Sequence, residues 1–163
     1  MVRDREIQRL IRYAQGMGVS VRFKPYIRGS MNGGGWTVDG SEIVVYVSPG
    51  DSKVQQVLTL IHEIAHHKGF IENNRQTDPK VIEALEDEEE KKISRKRIFV
   101  DEVSDMQYWE QIYKDTGCTF DIRKMYFDKD FQAWSYETFY ETGKFPMGEE
   151  KTNKKKELRR KYG

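Results

Sequence analysis

All three histidines of this chain fall within one short stretch, at 62, 66 and 67, and Glu63 follows the first of them. Positions four apart on a helix lie one turn apart on the same face, so His62 and His66 can reach one common point only if their segment is helical. The local sequence meets that demand. Asp51 or Ser52 can cap a helix, and Gln55 stands where a capping box needs it. Val57, Leu60, Ile61 and Ile64 recur at helical spacing as a core-facing side. The helix is expected to reach about Lys68, with Gly69 as its stop. A helix this apolar must be buried, so the rest of the chain has to fold around it.

Upstream, Ile7, Leu10, Ile11 and Ala14 predict an amphipathic helix over 3–15. Val19, Val21 and Phe23 alternate with polar residues as a strand ended by Pro25. Ser30 to Gly35 reads as loop. Trp36-Thr37-Val38, Asp39-Gly40 and Ile43 to Val47 read as a hairpin, because Asp-Gly favours tight primed turns. Downstream, a helix is expected from near Pro79, acidic over 83–92 and more apolar from Ile98 to Tyr113, where Gly117 ends it. Residues 119–147 are rich in aromatics and predict one or two helices covering the core. The expected fold class is α+β. It has an N-terminal helix, a small mixed or antiparallel sheet, a histidine-bearing helix packed on a second long helix, and an aromatic-rich helical C-terminal part. One domain over 1–147 is expected, followed by a basic tail, 148–163, mobile or extended.

The pattern His62-Glu63-Ile64-Ala65-His66 carries a specific chemistry. Two neutral imidazoles on one face suit Zn2+. Glu63 projects about 100° around the helix from His62, where it misses the ion yet can reach water bound to it. Such a carboxylate can act as general base toward a water whose pKa the metal has lowered. Two histidines buried in a core helix are the plain alternative. A further ligand must be a carboxylate, because His67 points more than 90° away from the His62/His66 face.

Two carboxylates compete for that place, with Asp101 a further alternative. Glu102 is the first. On a helical wheel Ile98, Phe99, Met106, Trp109 and Tyr113 fall within about 60° of it. An acid inside an apolar stripe calls for a partner, since burying an unpaired charge costs several kcal/mol. A salt bridge to Arg95 or Arg97 is the ordinary way to supply one. Asp105, about 60° away, could orient a histidine through its second ring nitrogen. Glu72 is the second. With Gly69 it resembles the metzincin signature, in which a glycine and a ligand stand seven and ten positions after the first histidine. That family carries His or Asp where this chain has Glu.

The order of elements over about 3–113 resembles the gluzincin group of zincins, and within it the small ImmA/IrrE-like metallopeptidases. The resemblance rests on Leu60 to His67 after a short sheet, and on Glu102-Val103-Ser104-Asp105 in a following helix. It implies zinc on His62, His66 and Glu102, with Glu63 as base. The usual spacing from ligand Glu to Asp is four, whereas Glu102 and Asp105 are three apart and Asp101 occupies the four-apart place. The resemblance also implies a regulatory protease, of phage or mobile-element type, acting on protein substrates such as transcriptional repressors.

Composition narrows the rest. Cys118 is the single cysteine, which excludes an intramolecular disulfide and a Cys-rich zinc site. Lys plus Arg (28) balance Asp plus Glu (27), so overall charge favours no polyanionic partner. No apolar run approaches the roughly 18 residues of a membrane span, and the polar N-terminus has no signal-like core. A cytoplasmic location is therefore expected, in a host cell if the gene is phage-borne. Other functional readings are a zincin-like binding or virion protein without activity, and a DNA-associated protein using the seven Lys and Arg of 151–163. A nuclease on the same metal is disfavoured, because two-metal sites need more carboxylates.

Overall fold

The computed structural model describes residues 4–26, 34–36, 40–73 and 87–163. The expected helix start near Pro79, most of the Ser30–Gly35 loop and the 37–39 part of the hairpin lie outside these residues. The chain divides into two compact units. The first comprises residues 1–75 and 105–120, and the second 76–104 and 121–163.

In the first unit α1 (Asp4–Gly16) buries Ile7, Leu10 and Ala14, the stripe expected of it. Strand β1 (Ser20–Pro25) runs parallel to β3 (Glu42–Val47), and β2 (Gly34–Trp36) pairs with β3 antiparallel. The sheet order is β1-β3-β2, so it is mixed, with β3 at its centre. Gly34 opposes Val45 and Trp36 opposes Ile43, and Gly40 has φ +70°. Gly34 and Gly35, expected in a loop, belong to a strand. In β3, Ile43, Val44 and Val45 are buried in succession. Such a run, with no polar alternation, is what a strand covered on both faces looks like.

Helix α2 (Lys53–Asn73) starts as expected, with Ser52 Oγ accepting the Gln55 N–H at 3.1 Å. It does not stop at Gly69. A glycine ends a helix by taking a left-handed conformation; Gly69 stays helical and buried, and the helix runs one more turn. Val57, Leu60, Ile61 and Ile64 are fully buried. Helix α2 packs on α1, β2 and β3 and, on another side, on a 3-10 turn (Met106–Tyr108) and the short helix α4 (Trp109–Asp115). The expected continuous helix from Ile98 to Tyr113 is thus broken: α3 (Glu88–Asp105) ends where the 3-10 turn begins. Gly117, with φ +67°, follows the C-cap of α4, as read from sequence.

In the second unit α5 (Ile122–Thr142) is capped by the Asp121 side chain and ends at Gly143, φ +78°. Phe99 stacks on Tyr140 at 5.9 Å, and the Arg95 guanidinium donates to the Tyr140 carbonyl at 3.2 Å. The basic tail, expected mobile or extended, is instead a helix, α6 (Glu149–Tyr162), packed on α5. The physical reason is an inward stripe the charges conceal. Leu158 is buried, Lys154 lies over the Trp134 ring and Lys155 over Phe131, and Lys161 pairs with Asp130 at 3.0 Å. An ammonium group over an aromatic face is attracted by the ring quadrupole, while its aliphatic stem covers apolar surface. Among the described residues no helix is long and apolar enough to cross a membrane.

Candidate metal centre

The sequence places His62, Glu63 and His66 on the buried length of α2, and the fold keeps them together. His62 is 8% and Glu63 7% exposed, both low for such polar side chains. The Nε2 atoms of His62 and His66 face each other at 2.8 Å, with the rings nearly perpendicular and their centroids 4.5 Å apart. This is the convergence expected of residues four apart.

Asp105, the last residue of α3, lies behind the pair. Its Oδ2 stands 2.9 Å from His66 Nδ1. A carboxylate can only accept, so His66 Nδ1 carries the proton, and in the neutral ring Nε2, turned toward His62, keeps its lone pair. This is the orienting role that the sequence suggested for Asp105. Trp109 holds the other ring: it is 1% exposed and meets His62 edge to face at 5.5 Å. Glu63 Oε1 lies 4.0 Å from His62 Nε2, beside the ring pair rather than between the two nitrogens.

One contributor escaped the sequence reading. A Cβ on Gly34 would stand 2.6 Å from Thr59 Cγ2, 3.3 Å from the Val44 carbonyl oxygen and 3.4 Å from Glu63 Cγ. Only glycine lets β2 approach α2 this closely, and any larger residue would displace the strand or the Glu63 side chain. The signal was the glycine run 33–35, which local reading takes for a loop.

The competing residues separate. Glu72 is ten residues past His62 on a helix that continues through Gly69, about 15 Å along the axis, and it accepts a hydrogen bond from the Tyr108 hydroxyl. A continuous helix carries Glu72 along the axis away from the His62/His66 pair, which speaks against the metzincin-like alternative. His67 is turned away, with Nε2 donating to the Met17 carbonyl at 3.0 Å, as its position on the wheel requires. His62 and His66, with Glu102 on the helix that ends at Asp105, form a set of side chains that could hold a metal ion.

The donors suit such an ion. Two nitrogens sharing a tetrahedral zinc at roughly 2.0–2.1 Å each would stand about 3.3 Å apart. The observed 2.8 Å separation is within about half an ångström of that, a shift that small side-chain rotations supply. Replacing Asp105 with Asn should keep an acceptor on His66 Nδ1 but remove its charge. Zinc affinity, measured by competition with a chromophoric chelator, is expected to fall about 10–100-fold; unchanged affinity would remove Asp105 from the site.

Comparison of the chain with protein-family models, with curated proteins and with solved structures returned no match.

Proposed function

We propose that this protein is a zinc-dependent peptidase that hydrolyses peptide bonds of a protein substrate. The observation that carries the reading is the meeting of the His62 and His66 Nε2 atoms beside a buried carboxylate, Glu63. A site that only holds a metal for stability has no use for that acid, and burying it carries a cost. Glu102, one turn before Asp105 on the same helix, is the third ligand of this proposal.

Bound zinc would supply a Lewis acid and water of lowered pKa. Glu63 takes the proton of the attacking water on its carboxylate and returns it to the leaving amine. Asp105 holds the His66 ring in the tautomer that keeps Nε2 available. Trp109 fixes the His62 ring and excludes water from its side.

An extended peptide can add to a sheet through an edge strand. Strand β3 is central and flanked on both sides, so it cannot serve. Edge strand β2, packed against α2 at Gly34, takes over that role in this proposal. A donor for the tetrahedral oxyanion is also needed, and His67, Tyr108 and Tyr126 do not offer themselves. The His67 and Tyr108 donors are committed to Met17 and Glu72, and the Tyr126 ring lies against Tyr162.

A repressor-type substrate fits a regulatory protease. The rival DNA-associated reading is weakened by Lys154, Lys155 and Lys161, whose heads are engaged within the α5–α6 pair. The test is hydrolysis of a denatured protein by the zinc-loaded chain, comparing wild type with Glu63→Gln. Cleavage by the wild type alone is expected, and equal cleavage by both would remove the peptidase reading.

A further inference from the structure

One turn before Glu63 on α2, the structure holds a cavity of about 250 Å³, lined by Tyr26, Tyr46, Ser48, Asp51, Gln55 and Thr59 among others. Gln55, Thr59 and Glu63 follow at four-residue spacing along one face of α2. Thr59 therefore stands about 6 Å along the axis from the candidate base. The volume is below the roughly 300–1,000 Å³ of sites for whole small molecules. It suits one side chain.

The lining also selects by charge. Among the described residues that line the cavity, Asp51 is the one acidic side chain; the others are Tyr, Ser, Gln, Thr and Val. Asp51 Oδ2 accepts the Ser48 N–H at 2.8 Å, which fixes the carboxylate on the wall. Lys53, the neighbouring cation on α2, is drawn off by Asp4 at 3.0 Å. Tyr26 and Tyr46 add phenol rings, whose faces attract cations and cover aliphatic stems.

We infer that this cavity binds the side chain of Lys or Arg in a peptide, with Asp51 as the specificity-determining group. Assigning that residue to a peptide cleaved beside Glu63 rests on the peptidase reading, whereas binding of the cationic side chain does not.

The test is an NMR titration of the isotope-labelled, zinc-free full chain with the N-acetyl N-methylamides of arginine and lysine, and with that of glutamate as control. Saturable shifts of the Gln55 and Gln56 side-chain amides are expected with the two cationic probes, and binding about tenfold weaker with glutamate. Asp51→Asn keeps an oxygen for the Ser48 N–H, and is expected to weaken the cationic probes about tenfold. Gln55→Lys, which leaves Asp51 and Ser48 untouched, is expected to do the same. Absent shifts, equal binding of glutamate, or variants indistinguishable from wild type would overturn the assignment. Digestion of a peptide mixture then separates the two claims. Cleavage without enrichment of Lys or Arg sinks the placement beside Glu63, whereas absence of any cleavage sinks the peptidase reading and leaves the titration result standing.

Discussion

Glu63→Gln is expected to leave zinc binding essentially intact while lowering peptide hydrolysis by about 10²–10⁴-fold, the usual contribution of a positioned general base. Glutamine has nearly the shape of glutamate, so the close packing of Glu63 against β2 at Gly34 is preserved. What it loses is the ability to accept and return a proton. The change should therefore appear in kcat with little effect on KM, because Glu63 acts on the transferring proton and not on the bound peptide. Zinc content measured on the same preparations separates loss of the base from loss of the metal. A variant that binds zinc and turns over at the wild-type rate would show that Glu63 is a packing residue.

Trp109→Ala is expected to destabilise the first unit by about 3–5 kcal/mol, the range for deleting a large aromatic from a core. Typical total stabilities are about 5–15 kcal/mol, so this one change uses a large share. Trp109 is 1% exposed, opens α4, and lies edge to face with His62. Its loss should also let the His62 ring rotate and so reduce zinc affinity, whereas Trp109→Phe should retain much of both. Urea unfolding and chelator competition on the two variants check the pair of effects. An alanine variant of wild-type stability would mean that the cavity is refilled and that Trp109 does not brace the site.

Helix α1, the buried side of α2, its Ser52 cap and the meeting of His62 with His66 were legible because each depends on residues a few positions apart. The role of Asp105 was legible for a related reason: a wheel places it on the same face as Glu102, although the helix ends there. What escaped was non-local. The parallel pairing of β1 with β3 joins segments some twenty residues apart, and it makes β3 a central strand, which local periodicity does not show. Gly69 and Gly34 were misread in opposite directions. Composition marks a glycine as permissive, but only the surroundings decide between a helix stop, a helical residue and a point of close approach. The C-terminal helix was hidden because Lys154 and Lys155 look solvated in sequence, whereas their inward contacts are with aromatic residues of a different helix.

The central claim is that His62 and His66 hold one divalent cation. It is tested most directly by counting zinc per chain after loading and gel filtration, in wild type, His62→Ala and His66→Ala. The account predicts one zinc in wild type and almost none in either variant, with the fold of each checked by circular dichroism. Zinc absent from the folded wild type, or present equally in all three, would contradict it.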